Sequence, residues 1–218
     1  MLFAHWPVPA SALRPMIPAS LEIDEFDGEA WIGLVPFRMS IRPRALPHVP
    51  GISHFAELNV RTYVRNSGKP GVWFFSLDAA SATAVFGGRQ FFHLPYFRAD
   101  IAMKPEGSGF RFDSKRRGAA AEFAARYGPC SEPYLAKPGD LDHWLTERYC
   151  LYTASPAGKL LRGDIHHTPW PLQRAEAEIE RQTMLHPIGL PLPDIAPFLH
   201  FAAGIDTVLW SLSSPGDA

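Results

Sequence analysis

Cysteine, excess basic charge and long hydrophobic runs are all scarce in this sequence of 218 residues, and each shortage excludes a class of protein. The two cysteines, Cys130 and Cys150, form neither a CxxC pair nor a zinc ligand set. These two cysteines could form a disulfide, but a single pair in a chain of this length is more typical of a protein in the reducing cytosol. The formal net charge of −1 argues against a dedicated nucleic-acid-binding protein. No stretch approaches ~18 uninterrupted apolar residues, so no membrane span is predicted.

Targeting segments and catalytic motifs are also missing. Residues 1–7 have no basic region and no long apolar core, so we expect no signal peptide and a cytoplasmic location. The sequence contains no Walker loop, GxGxxG, HExxH, GxSxG or paired CxxC. Its nine histidines are scattered, and the adjacent His166 and His167 would point to opposite faces of a strand. We therefore predict no metal site and no cofactor.

Proline and strand-like alternation dominate what is present. The 22 prolines argue against a helical bundle, because each interior proline costs a helix about 3 kcal/mol. A composition that is 46% hydrophobic and 12% aromatic is too apolar for a disordered chain. The predicted fold is a single domain over 1–218 that is mainly β (α+β), an antiparallel barrel-like sheet with short peripheral helices.

Alternation and turn signals place the elements along the chain. The segment over 172–183 suits either a helix or a strand, and its repelling glutamates favour a strand. Asp27-Gly28 predicts a hairpin, residues 41–51 a proline-rich loop, and Lys115-Arg116-Arg117 a solvated turn. Helices are predicted over 9–17, over 81–86 with Ser81 as N-cap and Gly87-Gly88 as the stop, over 140–147 and over 198–203. Strands are predicted over 2–6, 21–26, 31–39, 55–65, 72–77, 95–103, 109–113, 120–127, 149–153, 160–167, 172–183 and 206–212.

Two polar clusters are candidates for chemistry. In the strand over 55–65, one face is apolar and the other carries four different polar groups at about 6.6 Å spacing: Glu57, Asn59, Arg61 and Tyr63. This face is either exposed to solvent or lines a barrel lumen, where burial would raise the pKa of Glu57 and suit it to acid–base work. The second cluster, Arg89, His93, Pro95 and Tyr96, follows Gly87-Gly88 and is also compatible with ordinary packing.

At these clusters the sequence resembles the acetoacetate decarboxylase-like superfamily, and within it the YqjF-like family of uncharacterised bacterial proteins. The resemblance covers nearly the whole chain and implies a closed antiparallel β-barrel with a buried ligand pocket. The segments that carry it are FAHWPVP at 3–9, LRPMIP at 13–18, LEID at 21–24, GLVPF at 33–37, ELNVRTYV at 57–64 and FHLPY at 92–96.

The family's chemistry does not carry over intact. In acetoacetate decarboxylase, a Pro-Lys-Lys segment supplies the lysine that forms a Schiff base with the keto acid. Here Tyr96 and Phe97 stand at the two lysine positions, and neither forms an imine. Lys104 shares strand parity with Tyr96 but lies about 26 Å further along. Glu57 matches one of the family's two site glutamates, and Trp31 stands at the other.

These observations support two main hypotheses. The first is a pocket protein without the lysine that binds a small organic ligand, with Arg61 or Arg89 holding an anionic group. In it Asn59, Tyr63, His93 and Tyr96 supply hydrogen bonds. The second is an acid–base enzyme of the isomerase, hydratase or cyclase type, with Glu57 as base and Tyr96 or His93 as acid.

Two further readings stay open. One is a decarboxylase that retains its activity, and the other is a scaffold whose barrel is filled by side chains, which would displace both main hypotheses. Related decarboxylases assemble into large oligomers, so a homo-oligomer is also left open, whereas nucleic-acid and membrane partners are not expected.

Overall fold

A computed structural model describes residues 1–41 and 54–216, so the predicted loop over 41–51 lies almost entirely outside the described residues. The described helices are α1 (Ala10–Leu13), α2 (Ala82–Phe92) and α3 (Leu141–Thr146), with one-turn 3-10 helices at Arg14–Met16 and His186–Ile188. The described strands are β1 (Leu2–Val8), β2 (Glu22–Ile23), β3 (Ala30–Ser40), β4 (His54–Asn66), β5 (Lys69–Ala79), β6 (Tyr96–Glu106), β7 (Gly109–Arg116), β8 (Glu122–Pro129), β9 (Tyr134–Leu135), β10 (Cys150–Ala154), β11 (Leu160–His167), β12 (Pro171–Gln182), β13 (Phe198–Ala202) and β14 (Thr207–Leu209).

Nine of the described strands close into a ring. Their order is β5-β6-β7-β8-β12-β13-β1-β3-β4, and β4 pairs with β5 to complete it. Strands β10, β11 and β14 extend the sheet from the first half of β5, while β2 and β9 pair with β4 and β12. The predicted mainly-β, closed sheet is confirmed. Two of its pairings, β5–β6 and β5–β10, are parallel, and α2 supplies the crossover that β5–β6 requires.

Apolar side chains fill the interior of this ring. The even-numbered residues of β4, such as Leu58 and Val60, belong to one buried cluster with Phe112 and Phe123 of β7 and β8. Across the ring, the Tyr127 hydroxyl donates to the carbonyl of Pro36 at 3.5 Å. Fully burying each large apolar side chain contributes about 1.5–3 kcal/mol, so this cluster is the main source of the ring's stability.

Helix α2 is longer than predicted. Ser81 caps it, with its Oγ accepting from the backbone N–H of Ala84 at 3.2 Å, but the helix passes through both glycines. It ends at His93, which adopts the left-handed conformation with φ of 50°. Gly88 is needed inside the helix because a Cβ there would lie 2.3 Å from the ring of Tyr96. The glycine is kept for close packing and does not stop the helix.

Two other local predictions are wrong because pairing with distant strands overrides local signals. The predicted helix over 198–203 is strand β13, which pairs with both β1 and β12. The turn at Asp27-Gly28 forms, but β2 pairs with β4 and not with β3. The ambiguous segment over 172–183 is confirmed as a strand, β12.

The predicted solvated turn at Lys115-Arg116-Arg117 is a further correction. Lys115 and Arg117 face outward, but alternation on β7 turns Arg116 into the ring, where its side chain is 4% exposed and pairs with the fully buried Asp78. Its Nη2 donates to Asp78 Oδ1 at 2.7 Å, and its guanidinium lies over the ring of Phe97. Among the described helices, none is long and apolar enough to cross a membrane.

Candidate functional site

The polar face of β4 (Glu57, Asn59, Arg61 and Tyr63) is buried, yet it does not line the ring's interior. Because the even-numbered residues point inward, these odd-numbered residues point outward. They are covered by α3 and by the segment that follows α2, so Glu57 is only 1% exposed. Neither predicted setting, a solvent-exposed face or a barrel lumen, is correct. The face lies between the ring and its covering helices.

Tyr63 joins the polar face to β1 and α3. Its hydroxyl donates to the carbonyl of Leu145 at 2.8 Å and contacts His5 Nε2 at 2.7 Å. Arg61 Nη2 donates to the same hydroxyl at 3.4 Å and to the Leu145 carbonyl at 3.3 Å. Burial, reinforced by the nearby Arg61, holds the pKa of His5 well below its usual value, so the imidazole is neutral at pH 7.

Gly33 makes the approach of His5 and Arg61 feasible. The pairing register places it between them, opposite His5 on β1 and opposite Arg61 on β4. A Cβ at this position would lie 2.8 Å from His5 Cδ2 and 3.5 Å from Arg61 Cγ. Any side chain here would displace the imidazole, so the missing Cβ is a requirement of the site.

Glu57 and Tyr96 form the second contact of the polar face, with the Tyr96 hydroxyl donating to Glu57 Oε2 at 2.9 Å. Burial raises the pKa of Glu57 to about 8, and the charge of Asp78 adds to this effect, while the hydrogen bond from Tyr96 opposes it. Burial and the neighbouring Glu57 raise the pKa of Tyr96 well above its usual value. At neutral pH, therefore, Glu57 is mostly protonated and can give up a proton.

Arg89 and His93 do not join the other predicted residues. Arg89 is exposed, and its Nε donates to the backbone carbonyl of Tyr96 at 2.7 Å. His93 ends α2, and its backbone carbonyl accepts from Thr153 Oγ1 at 2.7 Å. Within the described part of the chain, no hydrogen bond involves the imidazole of His93. Both residues position the segment that carries Tyr96.

A histidine–carboxylate pair at the other end of the face was missed by sequence reasoning. His200 is fully buried, and its Nε2 lies 3.2 Å from Asp142 Oδ1 on α3. Asp142 also accepts from Tyr134 at 2.7 Å and pairs with Arg174 at 3.1 Å. Burial opposes ionisation of Asp142, but the hydrogen bonds from Tyr134 and His200 outweigh it and lower its pKa. The segment of His200 was predicted to be helical, so no strand face was assigned to it.

Five buried polar atoms around this face have no hydrogen-bond partner among the described residues, and each belongs to a different side chain. Leaving a buried donor or acceptor unpaired costs about 1–3 kcal/mol, so a ligand that pairs such atoms gains that free energy on binding. Arg61 also forms no ion pair with any described residue. The five atoms are His5 Nδ1, Trp31 Nε1, Asn59 Oδ1, Arg61 Nε and His200 Nδ1.

The five lysines lie away from the polar face. Lys69 pairs with Asp164 at 2.7 Å and Lys115 with Glu122 at 3.0 Å, both at the protein surface. Lys104, Lys137 and Lys159 are exposed. Two surface depressions outside the ring, both lined in part by Asp100 and Asp113, do not reach the polar face either.

Comparison with known proteins identifies the family of this chain. Residues 1–206 match the DUF2071 family model, described as "Uncharacterized conserved protein". The chain is 50% identical over 214 residues to the uncharacterized protein YqjF of Bacillus subtilis (strain 168), covering 97% of this chain and 88% of that protein. The predicted resemblance is thereby confirmed.

Solved structures extend the likeness to the fold alone. Acetoacetate decarboxylase from Legionella pneumophila is 15% identical with a TM-score of 0.61, covering 97% of this chain and 83% of that one. The enduracididine biosynthesis enzyme MppR, complexed with pyruvate, is 14% identical with a TM-score of 0.65, covering 97% and 84%. An acetoacetate decarboxylase-like enzyme from Sphingomonas wittichii RW1 is 13% identical with a TM-score of 0.58, covering 98% and 88%.

Proposed function

We propose that this chain, which belongs to the DUF2071 family of uncharacterized conserved proteins, binds a small organic carboxylate on its polar face. The guanidinium of Arg61 carries the proposal. It is packed under α3 against the rings of Phe3 and Tyr63, whose centroids lie 5.5 and 5.7 Å from its central carbon. A cation in such surroundings, with no carboxylate beside it among the described residues, favours an anionic ligand that forms charge-assisted hydrogen bonds.

The length of the polar face indicates the size of the ligand. Glu57 and Arg61 are four residues apart on β4, about 13 Å along the strand. A ligand would therefore need a chain of several carbon atoms to reach from Arg61 past Asn59 to Glu57. Arg89 and His93 are not included in the proposed contacts, because they act on the backbone around Tyr96.

The fold relative MppR supports a carboxylate ligand, whereas the residues of this chain argue against a Schiff base. MppR shares the fold and was determined with pyruvate, a small carboxylate, bound to it. In this chain Tyr96 stands where the resemblance expects the reactive lysine, and its hydroxyl is engaged with Glu57. The lysines present are at the surface, so the proposal involves binding by ion pairing without a covalent step.

Titration calorimetry with propanoate, butanoate and succinate tests this proposal, with the corresponding amides as neutral controls. We expect the carboxylates to bind and the amides to bind at least ten-fold more weakly. In Arg61→Met, carboxylate affinity should fall by roughly 30-fold or more, because a buried charge–charge hydrogen bond is worth about 2–5 kcal/mol. The exposed Arg117→Met is the matched control and should bind like wild type. Equal binding by Arg61→Met, or no carboxylate binding at all, would refute the proposal.

The contact between Glu57 and Tyr96 favours a second candidate function, acid–base catalysis on the bound carboxylate. With its pKa raised to about 8, Glu57 exchanges its proton close to physiological pH, as a general acid or base requires. Tyr96 keeps its proton and would donate a hydrogen bond to a developing oxyanion. In this candidate function Glu57 removes a proton from a carbon next to a carbonyl group, as in an isomerase.

Deuterium exchange tests the catalytic candidate. Oxobutanoate is incubated in D2O with each protein. Wild type should exchange the C–H protons beside the ketone about 100-fold or more faster than Glu57→Gln does. The rate should rise with pH and level off above about 8, where Glu57 is ionised. Tyr96→Phe removes the hydrogen bond that lowers the pKa of Glu57. The pH dependence of the exchange rate in this variant should therefore shift to higher pH. The same exchange rate in wild type and Glu57→Gln would exclude this role.

A further inference from the structure

We infer that the ligand of the polar face is a hydroxylated carboxylic acid, of which one hydroxyl group donates to the Nδ1 atom of His5. The inference rests on the proposed carboxylate-binding function and narrows its ligand class. It is carried by the hydrogen-bonding capacity of four buried side-chain atoms that have no partner among the described residues: His5 Nδ1, Trp31 Nε1, Asn59 Oδ1 and Arg61 Nε.

The partners of His5 determine which of its nitrogens carries the proton. The single proton of the Tyr63 hydroxyl points to the Leu145 carbonyl, because two oxygens 2.8 Å apart require a hydrogen between them. The hydroxyl must therefore accept from His5 Nε2, 2.7 Å away. His5 is neutral, so its Nδ1 has a free lone pair and acts as an acceptor.

His200, the other buried histidine of this patch, has no fixed acceptor. Its Nε2 lies 3.2 Å from Asp142 Oδ1, which can only accept, and 3.4 Å from Arg174 Nη1, which can only donate. The two contacts require opposite tautomers of a neutral ring, so the choice of ligand depends on His5 and not on His200.

The remaining three atoms lie on the same patch of sheet. His5, Gly33 and Arg61 face one another across β1, β3 and β4, and His200 pairs with Phe3, two residues before His5. Trp31 and Asn59 are two residues from Gly33 and Arg61 on the same strand faces. The unpaired atoms thus fall within roughly 15 Å of one another along and across the strands.

Donors and acceptors on this patch specify the ligand's groups. Trp31 Nε1 and Arg61 Nε are donors and call for the oxygens of a carboxylate. His5 Nδ1 and Asn59 Oδ1 are acceptors and call for donors on the ligand. A simple carboxylate leaves both unpaired. An ammonium group is disfavoured because Arg61 is not balanced by a carboxylate, so hydroxyl groups are the neutral donors that fit.

Calorimetry with butanoate, its monohydroxy and dihydroxy derivatives, and aminobutanoate tests the inference. In wild type, a hydroxyl that reaches His5 should raise the affinity about ten-fold over butanoate, and the amino group should not. His5→Gln keeps a side-chain N–H where Nε2 was but loses the Nδ1 acceptor. The ratio of hydroxybutanoate affinity to butanoate affinity should therefore fall about ten-fold in this variant, whatever happens to butanoate binding itself. The exposed His186→Gln is the matched control and should retain the wild-type ratio.

The outcomes separate this inference from the function on which it rests. Binding of butanoate without any gain from hydroxyls in wild type would overturn the hydroxy-acid assignment and leave carboxylate binding intact. The hydroxy-acid assignment is also overturned if His5→Gln keeps the full gain, or if aminobutanoate binds most tightly. If no carboxylate binds wild type, both proposals are wrong. Should His5→Gln fail to fold, the comparison of butanoate, its hydroxy derivatives and aminobutanoate in wild type is sufficient for the decision.

Discussion

Replacing Arg116 by methionine is expected to lower the free energy of unfolding by about 3–5 kcal/mol, because it leaves the carboxylate of Asp78 buried inside the ring without its partner. Both oxygens of Asp78 lie within 3.0 Å of Arg116, and the Asp78 side chain is 0% exposed. Urea unfolding at pH 7 measures the change. The loss should shrink at acid pH, where protonation removes the unpaired charge.

The neighbouring residue provides a matched control for this effect. Arg117 makes an ion pair with Asp100, but both side chains are more than half exposed and solvent screens the pair, so Arg117→Met should leave the free energy of unfolding close to that of wild type. Asp78→Leu combined with Arg116→Met should recover most of the stability, because a well-packed apolar pair replaces a buried ion pair at little cost. Equal losses of stability in Arg116→Met and Arg117→Met would contradict the buried position of Arg116.

Glu57 is expected to make stability fall as the pH rises. Its pKa is about 8 in the folded chain against 4.5 in the reference state, so the folded state binds more protons between these values. The free energy of unfolding of wild type should therefore decrease over this range. Relative to Glu57→Gln, which does not titrate, the decrease should be on the order of 4 kcal/mol, since one pKa unit corresponds to about 1.4 kcal/mol.

Unfolding curves of the two proteins from pH 4 to pH 9, a range that brackets both pKa values, test this expectation. The exposed Glu178→Gln is a suitable control and should follow wild type at every pH. A constant difference between wild type and Glu57→Gln across this range would show that Glu57 titrates normally. In that case the acid–base candidate would lose its main support.

The packed ring bears on the hypothesis of a filled scaffold. Its interior is occupied by apolar side chains, as that hypothesis required. The polar face, however, lies outside the ring under α3, so packing of the interior does not decide whether a ligand binds there. The ring is better regarded as the rigid support that places His5, Arg61 and His200 on one surface.

Local pattern was sufficient for much of this molecule. The alternation over 55–65 correctly separated an apolar face from a polar one, and the motif around Glu57 and Tyr96 identified two side chains that are in contact. Both succeed because strand periodicity depends only on backbone geometry and because the family's segments are contiguous in sequence. The mainly-β fold and the family followed from the same signals.

Long-range pairing determined the rest. Which face of β4 points into the ring depends on β7 and β8, about 50 residues further along, whose side chains fill that interior. Arg116 appears solvated in its basic run because its partner, Asp78, is 38 residues away. His200 joins the site only because its segment is a strand between β1 and β12. Local signals carry no information on such pairings, because the free energy that stabilises them comes from burial against distant strands.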